Sequence, residues 1–496
     1  MRDILAEIDL AYIRRRDAWL AEVLDFLAGQ GNGIYLVGGY VRDLLLDRVS
    51  RDADFAVEDD PAQLARSVAD FVGGNVVVLH PEERIFRVMA SIPPEREGYR
   101  ILDFSPIKGT DIEQDLASRD FTINAIGMTI DALAIQHVSL PAGLVDRNGY
   151  GWRDINAGLI RECGNQVFLE DPVRALRAFR FKHLLGFDIE ESTLNHLKKY
   201  AELIVSSPGE RIAAELLEIL AEPDSARVFQ DMHRAGLLDP LFPNLAVLNG
   251  VEQNAFHHLD VWGHTLLALE ELDRLLAQPE LISPAMAPAI RAHMDEPLMG
   301  EHRRSAFLRL AALFHDVGKV WTSTRDETGR IRFFDHQRLS GEEMKRVSEK
   351  LRLSNRAEGY LLKAVTRHMD IGFVLSQPVT PRVLSRLLQR LGEETIDVVL
   401  LSVADRAATL GPMSTEEGRR LYASFSAHLV EERKREEKIP RLLEGGELMQ
   451  EFGLAPGPLI GDLLEQIRYA QFEGLLETRE DALRFARDML RPIVPA

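Results

Sequence analysis

The stretch LVGGYVRDLLLDRVSRDADFAV, residues 36–57, decides the fold of the first part of this chain. Its pattern predicts a strand, a turn at two glycines, a short helix and a second strand that carries Asp52 and Asp54. Alternate residues of a strand face the same side, so the two carboxylates project together. Adjacent carboxylates repel each other unless a cation lies between them. Hard divalent cations bind carboxylate oxygens and keep positions open for phosphates, so the strand indicates a metal and phosphate site.

The two glycines, Gly38 and Gly39, stand between the first strand and the helix. Glycines there allow backbone N–H groups to approach phosphates at a helix N-terminus, and Arg42 would add charge-assisted bonds. Each half of the stretch has an ordinary alternative, a tight turn for the glycines and a solvated acidic strand for the aspartates. Their combined order favours a site that transfers a nucleotide to a hydroxyl group.

Length and composition exclude some classes of protein. The chain has 496 residues, and this length predicts several domains. Its formal charge of −19 argues against a generally basic nucleic-acid-binding surface. The basic segment 172–183, PVRALRAFRFKH, leaves a local positive path open. No stretch approaches the roughly 20 apolar residues of a membrane helix and no signal peptide is recognised, so we expect a cytoplasmic protein without membrane contact. The single cysteine, Cys163, fits a reducing compartment and is expected to be a core residue.

Strand patterns are confined to about the first 140 residues, in GIYLV, DADFAV, GGNVVVLH, RIFRVMASI and YRILDF. From residue 168 onward apolar residues recur at helical spacing. We therefore predict an α+β protein, with an N-terminal head of helices and a small mixed β-sheet followed by all-α domains. Within the helical part we predict a hairpin or ordered loop at 322–335, an insertion loop at about 275–305 and a solvated helix face or linker at 431–438.

Several motifs carry a resemblance to a known family. GGYVRD followed by DAD resembles the first motif of the class II tRNA nucleotidyltransferase and bacterial poly(A) polymerase family. SRDFTINAIGM, LEDPVRALRAFRF, ERIAAEL and GGELMQEFGLAPGPLIGDLLEQ are similar to later motifs of that family, in the same order. The resemblance spans the chain and implies four domains: a nucleotidyltransferase head (1–145), a neck for base recognition and RNA binding (146–240), a metal-dependent helical domain (241–430) and an RNA-binding C-terminal segment (431–496).

In the SRDFTINAIGM motif, the resemblance implies that Arg119 and Asp120 contact the phosphates and ribose hydroxyls of the nucleotide, with Asn124 also part of the site. A carboxylate that accepts a hydrogen bond from the 2′-hydroxyl would select NTP over dNTP. The alternative is a helix N-cap, in which Asp120 or Thr122 caps and Asn124 turns inward.

In the LEDPVRALRAFRF motif, Asp171 and Arg174 are three residues apart in the first turn of a helix and share one face. The resemblance implies that they act as an amino-acid template for the Watson–Crick edge of the incoming C or A, with Arg177 assisting from the same face. The alternative is an ordinary surface ion pair, which contributes little.

Asp103, in the strand YRILDF, is the candidate for a third catalytic carboxylate. Two features depart from the family pattern. Ser118 replaces an arginine, which puts a contact from that position in doubt, and the stretch between Asp103 and Asp120 is short. Relatives that build the whole CCA end carry a longer flexible loop there, so the short stretch favours CC addition. Addition of A and polyadenylation stay open.

A second set of polar residues lies in the helical half. His315 and Asp316 interrupt the apolar helix LRLAALFHDVGKV, where two adjacent metal-binding side chains have no packing role. With neighbouring segments they resemble the HD phosphohydrolase superfamily. The resemblance implies that Lys319 faces a phosphate, and it implies as ligands of a divalent transition metal or Mg²⁺ the residues His264, His315, Asp316, His336, His368 and Asp405. His257 and His258 have no assigned role.

The resulting hypothesis is a template-independent RNA nucleotidyltransferase that uses Mg²⁺ in its head domain and CTP or ATP to extend the 3′ end of tRNA, as a monomer or homodimer. The helical domain would hydrolyse a phosphoester, such as a 2′,3′-cyclic phosphate or 3′-phosphate on an RNA end. The alternatives are a poly(A) polymerase, a protein whose main role is hydrolysis in the helical domain, and an inactive scaffold that only binds RNA.

Overall fold

The computed structural model describes residues 10–50, 52–91, 99–130 and 144–490. Packing divides the chain into two compact units, Met1–Ser207 and Pro208–Ala496. The first unit contains the large β-sheet and the second is mainly helical. The α+β class predicted from the sequence is therefore confirmed, whereas the four domain boundaries stay a prediction.

The sheet of the first unit has seven strands in the order β3-β4-β5-β2-β1-β6-β7. Its strands are β1 (Ile34–Val37), β2 (Asp52–Val57), β3 (Asn75–His80), β4 (Ile85–Ser91), β5 (Tyr99–Pro106), β6 (Ile126–Thr129) and β7 (Leu144–Asp146). Strand β2 pairs with β5 in parallel, and every other pair is antiparallel. Because β2 lies between β1 and β5, the carboxylate strand is held in the middle of the sheet.

Strands β1 to β5 were predicted, but β6 and β7 were not. Strand β6 follows directly after the RDFTIN sequence, and it contains a glycine and a methionine instead of a β-branched run. Its pairing with β1 recruits it into the sheet, with Leu36 opposite Met128. Both of these side chains are fully buried, so tertiary packing rather than local propensity forms this strand.

Helices cover the rest of the first unit. The helix Pro61–Val72 shows how the sequence sets one of them, because Asp60 accepts a hydrogen bond from the N–H of Ala62, Pro61 opens the first turn and Gly73 ends the helix at φ +66°. The helices are Leu10–Arg16, Ala18–Ala28, Gly39–Leu45, Pro61–Val72, Ile112–Ala117, Tyr150–Ala157, Val167–Glu170, Arg174–Leu185 and Glu191–Tyr200, with 3₁₀ turns at Thr122–Asn124, Arg147–Gly149 and Ala201–Ser206 and a short parallel strand pair at Leu159–Ile160 and Asp188–Ile189.

The second unit is built from helices whose apolar faces pack together. They are Gly209–Ala221, Ser225–Arg234, Leu238–Leu241, Pro243–Ala246, Val261–Ala277, Ala287–Met294, Arg304–Phe314, Lys319–Thr322, His336–Lys350, Asn355–Arg367, Asp370–Leu375, Pro381–Leu391, Thr395–Ala408, Glu416–Glu437, Gly445–Phe452, Pro458–Phe472 and Arg479–Leu490, with 3₁₀ turns at Pro279–Leu281 and Gly392–Glu394. The last three helices form an apolar cluster around Leu448, Leu463 and Ala482. None of the helices in the described ranges combines the length and apolar character needed to cross a bilayer.

The structure tests three local predictions in this unit. The hairpin at 322–335 is confirmed by the antiparallel strands Ser323–Arg325 and Ile331–Phe333. The prediction of an insertion loop at 275–305 is wrong, because this segment contains the helix Ala287–Met294 and a short hairpin. The side chain of Ile290 in that helix is buried, with 1% of its surface exposed. Its prolines misled the prediction: one of them lies at the start of that helix, where proline is tolerated. Residues 431–437 of the charge-rich run belong to the helix Glu416–Glu437.

Candidate functional site

A cavity of about 460 Å³ lies beside strand β2 in the first unit. Of the residues predicted for the head site, Asp103 and Asp171 do not line this cavity. Those that do are Gly38, Gly39, Arg42, Asp52, Asp54, Arg119, Asp120, Asn124, Arg174 and Arg177. Segments more than a hundred residues apart in the chain therefore meet at one concave surface.

Asp52 and Asp54 lie on the same face of β2, as the alternation predicted. Both are exposed at the cavity, whereas Ala53 between them is 3% exposed. The surrounding protein removes water from the Asp54 carboxyl, and this desolvation raises its pKa to about 6. The positive charge of Arg119 opposes the shift, whereas repulsion from Asp103 and Asp52 adds to it. A carboxyl group held among like charges in this way gains from a bound cation, so this pair fits a divalent metal ion.

Asp103 stands directly beside Asp54, because the parallel register of β5 and β2 pairs the two residues. Its carboxylate is engaged by Arg87, whose Nε lies 2.8 Å from Oδ1 and whose Nη2 lies 2.7 Å from Oδ2. This bidentate pair occupies both carboxylate oxygens. Each oxygen keeps a second lone pair, so the pair with Arg87 orients Asp103 without excluding a metal ligand role, and the catalytic assignment of Asp103 stays a prediction.

The two glycines differ in what the structure requires of them. Gly38 has φ +77°, and a Cβ atom there would lie 2.8 Å from Nη1 of Arg119 and 3.4 Å from Oδ2 of Asp54. A Cβ on Gly39 would meet nothing closer than 3.7 Å. The N–H of Gly38 donates to the carbonyl oxygen of Ile126 at 3.0 Å, so it is used within the fold rather than directed at a phosphate. Gly38 brings the backbone close to the site, and the helix Gly39–Leu45 begins at the cavity.

Asp120 is the centre of a hydrogen-bond network at the cavity wall. Its Oδ2 accepts from Nη1 of Arg177 at 3.0 Å, and its Oδ1 accepts from Nδ2 of Asn124 at 3.1 Å and from the N–H of Phe121 at 2.7 Å. Oδ1 of Asn124 in turn accepts from Nη1 of Arg42 at 2.7 Å. Burial opposes ionisation of Asp120, but Arg177 and Asn124 outweigh it and hold the pKa of this carboxyl below its usual range. The motif residues thus form one ordered chain that connects three segments.

The predicted base template is assembled loosely. Nε of Arg174 lies 3.8 Å from Oδ2 of Asp171, and Nη1 of Arg174 lies 3.6 Å from Oε2 of Glu170. Asp171 also accepts a hydrogen bond from the N–H of Val173 at 3.3 Å, just before the helix Arg174–Leu185 begins. Both the template and the ion-pair interpretation are compatible with these distances, and the template role stays a prediction.

A second candidate site lies in the second unit, where the six predicted ligands assemble in two groups that could each hold a metal ion. They are His264, His315, Asp316 and Asp405 in the first group, and Asp316, His336 and His368 in the second. Asp316 belongs to both groups. Its Oδ2 lies 3.4 Å from Nε2 of His264 and 3.3 Å from Nε2 of His315, and its Oδ1 lies 3.3 Å from Nε2 of His336. One carboxylate therefore stands between two sets of histidines.

The histidine rings are oriented as ligands. His315, His336 and His368 each donate from Nδ1 to the carbonyl oxygen three residues earlier, at 2.7, 2.9 and 2.7 Å. This bond leaves Nε2 to face the cluster, and in all three rings Nε2 is buried with no hydrogen-bond partner among the described residues. Buried polar atoms without partners are costly, and a backbone bond that fixes the other ring nitrogen is the usual support of a metal-binding histidine. The donor set fits a divalent metal ion.

The charges of this cluster also fit a cation. Burial and the neighbouring His315 lower the pKa of His368 to about 4, so the ring is neutral at pH 7, as a ligand must be. Burial opposes protonation of His315, but Asp316 and Asp405 outweigh it and raise its pKa to about 10 in the metal-free protein, so a metal ion that binds here must displace this proton. Burial likewise opposes ionisation of Asp316, yet Lys319 and His315 hold its pKa well below the usual range. Two buried carboxylates thus retain their negative charge.

A cavity of about 270 Å³ opens onto this cluster and is lined by Asp316, Asp405 and His336. Lys319, predicted to face a phosphate, lines the same cavity, but its Nζ lies 2.5 Å from Oδ2 of Asp316. His257 also lines the cavity and contacts the ring of His264 edge-on at 4.7 Å between centroids, whereas His258 is exposed and does not line it.

Comparison with known proteins identifies the family. Residues 34–161 match the family described as the poly(A) polymerase head domain, and residues 186–248 match the family described as the probable RNA- and SrmB-binding site of polymerase A. An A-adding tRNA nucleotidyltransferase of Deinococcus radiodurans is 33% identical over 92% of this chain and 95% of its own length. This chain belongs to the tRNA nucleotidyltransferase and poly(A) polymerase family.

Other members of the family show the same relationship. A CC-adding tRNA nucleotidyltransferase of Thermus thermophilus is 31% identical over 93% of this chain and 95% of its own length. Among solved structures, a CCA-adding enzyme in complex with ATP has a TM-score of 0.64 at 22% identity, covering 97% of this chain and 98% of its own. The Thermotoga maritima CCA-adding enzyme in complex with tRNA has a TM-score of 0.59 at 22% identity, with 98% and 99% covered. The structural likeness supports the fold, and the candidate metal cluster of the second unit lies outside both family matches.

Sequence analysis did not predict some further residues at the cavity beside β2. Lys108 and Arg180 line it, and Asp115 supports it by accepting from Arg119 at 3.2 and 3.3 Å and from the N–H of Lys108 at 3.0 Å. Arg180 could have been found, because it continues the three-residue spacing of Arg174 and Arg177 on one helix face. Lys108 and Asp115 carry no such local signal.

Proposed function

We propose that this protein adds C or A residues to the 3′ end of tRNA, with CTP or ATP as the nucleotide donor. The proposal depends on one observation: Asp52 and Asp54 lie on the same face of β2 and line one cavity. Gly38 and Arg119 line the same cavity. At this cavity, two carboxylates, the close backbone turn at Gly38 and several arginines lie on one small surface. Membership of the family supports the same chemistry, and the single cysteine suits a cytoplasmic enzyme.

Each part of the chemistry has residues to perform it. Asp52 and Asp54 would hold Mg²⁺, which supplies charge neutralisation at the triphosphate and a lower pKa of the attacking hydroxyl. Arg119 lies over the backbone turn at Gly38 and would bind phosphate oxygens. Asp120, fixed by Arg177, would accept a hydrogen bond from a ribose hydroxyl. The RNA 3′-hydroxyl attacks the α-phosphorus, a new P–O bond forms, and pyrophosphate leaves.

The number and identity of the added residues form the finer part of the proposal. The short stretch between Asp103 and Asp120 favours CC addition. The A-adding and CC-adding relatives, at 33% and 31% identity, favour neither outcome clearly. Polyadenylation remains the alternative within the family.

The test offers purified protein three tRNAs, ending before CCA, after CC and after CCA, with labelled CTP or ATP. Incorporation of C alone supports CC addition, a single A after CC supports A addition, and long A tracts support a poly(A) polymerase. Asp54→Ala should abolish incorporation. A variant that incorporates nucleotide at the wild-type rate would contradict the proposal.

A second candidate function, phosphoester hydrolysis, is favoured by the six-ligand cluster around Asp316. The residues fit one or two divalent metal ions, which supply water of lowered pKa and positive charge at the phosphoester. In the reaction, water oxygen bonds to phosphorus while the P–O bond to the leaving group breaks, and the products are a phosphate and an alcohol. Asp316→Ala should remove hydrolysis of phosphoesters and keep tRNA extension, and Asp54→Ala should do the reverse.

A further inference from the structure

Arg406 stands beside the metal-binding cluster and none of the roles described above uses it. It follows Asp405 directly, in the last turn of the helix Thr395–Ala408, and it lines the cavity of about 270 Å³ together with Lys319. Its side chain is half-buried. A positive charge at this position faces the space that any ligand of the cluster must enter.

The guanidinium of Arg406 has no protein partner within the described part of the chain. Its Nε is buried without a hydrogen bond, and none of the described carboxylates forms an ion pair with its side chain. Lys319, the other cation at this cavity, is engaged at 2.5 Å by Asp316 and at 2.7 Å by Oε1 of Gln253. A buried donor without an acceptor costs free energy, which a bound acceptor restores.

The shape and charge of the group indicate the kind of acceptor. The planar fork of an arginine matches two oxygens of a phosphate, and it is less suited to a single carbonyl oxygen. The preceding residue, Asp405, already has a partner, because its Oδ1 lies 2.9 Å from Nε2 of His264. The fork therefore has an incoming anion, rather than the neighbouring carboxylate, as its natural partner.

We propose that Arg406 binds the non-bridging oxygens of a terminal phosphate group, so that the cavity takes the phosphorylated end of a nucleotide or RNA chain. This inference rests on the phosphohydrolase function proposed for the cluster. The size of the cavity agrees with it, because about 270 Å³ is below the range of roughly 300–1,000 Å³ of common ligand sites and suits a chain end better than an internal stretch. Asn254, Thr409 and Tyr422 add polar groups to the wall.

The experiment measures binding of inorganic phosphate to the full-length, Mn²⁺-loaded protein by isothermal titration calorimetry, together with metal content by mass spectrometry. Arg406→Gln should weaken phosphate binding about tenfold or more, as expected for loss of a charge-assisted pair, and should retain its metal. The matched control is Arg386→Gln, whose side chain is 52% exposed and pairs with Glu465 away from the cavity. It should leave phosphate affinity unchanged.

Hydrolysis of p-nitrophenyl phosphate separates this inference from the proposed function. The inference would be overturned, and the function kept, if the wild-type protein hydrolyses the ester and the Arg406→Gln variant has the same KM and the same phosphate affinity. A protein without hydrolysis, in which Arg406→Gln still weakens phosphate binding, would keep the inference and refute the function. Loss of metal from Arg406→Gln would also overturn the inference. If this variant does not fold, Arg406→Lys replaces it, with weaker phosphate binding expected and unchanged binding as the contrary result.

Discussion

Nη1 of Arg177 lies 3.0 Å from Oδ2 of Asp120, and this ion pair joins two motifs that are 57 residues apart in the chain. It fixes the carboxylate at the cavity wall, while Asn124 holds the other oxygen. The candidate nucleotide site is therefore not a set of independent side chains but one hydrogen-bonded assembly. A substitution in the helix Arg174–Leu185 should act on the RDFTIN segment.

Arg177→Gln tests this coupling. We expect the variant to lose about 1–3 kcal/mol of stability at pH 7, because the buried Asp120 loses its charged partner, and to bind nucleotide more weakly. The low pKa of Asp120 means that this contribution is present at neutral pH and lost as the pH falls through the folded-state pKa. Chemical denaturation at pH 7 and KM for the nucleotide measure the two effects. Lys182→Gln, at an exposed ion pair with Asp188 near the end of the same helix, should change neither.

Asp54 should show a trade-off between stability and activity. Its pKa of about 6 lies above that of an unfolded carboxyl group, so protonation favours the folded state and ionisation at higher pH costs stability. Without Mg²⁺, Asp54→Asn should therefore raise the thermal midpoint at pH 7.5, and the gain should disappear below about pH 4, where both states are protonated. Nucleotide incorporation should be lost in the variant, because an amide lacks the negative charge that Mg²⁺ needs. A variant less stable than wild type at pH 7.5 would contradict this account.

Gly38 and Gly39 provide a matched pair of substitutions. Gly38→Ala places a Cβ atom 2.8 Å from Arg119 at a φ of +77°, so it should destabilise the head by about 1–3 kcal/mol and weaken nucleotide binding. Gly39→Ala meets no atom closer than 3.7 Å and lies at the start of a helix, where alanine is favourable. Denaturant midpoints and nucleotide affinity should separate the two variants, and equal effects would argue that the Gly38 conformation is not required.

Metal content tests the shared position of Asp316. Because Asp316 belongs to both ligand groups, Asp316→Asn should remove all bound Mn²⁺, whereas His336→Ala should remove only the ion of the second group. His302→Ala is the control in the same unit, since that ring lies outside the cluster, 3.9 Å from Glu218. Mass spectrometry of the dialysed proteins gives the stoichiometry. Full metal content in Asp316→Asn would refute the two-group arrangement.

Local patterns in the sequence predicted much of the candidate site. The alternation of β2 placed Asp52 and Asp54 on one face, and helical spacing put Arg174 and Arg177 together, because both patterns depend only on the period of the backbone. The adjacent His315 and Asp316 likewise indicated the candidate metal cluster without knowledge of its partners, although the helix predicted to contain them ends at Phe314.

Other features needed the folded chain. Strand β6 carries no strong strand pattern and exists because β1 pairs with it. Asp103 was predicted as a third catalytic carboxylate, but its pairing with Arg87 of the neighbouring strand, which holds both of its oxygens, was visible only in the structure. The prediction of an insertion loop at 275–305 was wrong because apolar residues of that segment form the buried face of a helix.

The sequence by itself determined which residue types lie on each face of each element, since periodicity and turn chemistry act over a few residues. Only the tertiary structure decided which of those faces meet. It pairs Arg177 with Asp120 and Arg87 with Asp103, and it brings two sets of histidines to Asp316. The physical reason is that a buried charge is stable only with a partner, and such partners are supplied by strands and helices far away in the chain.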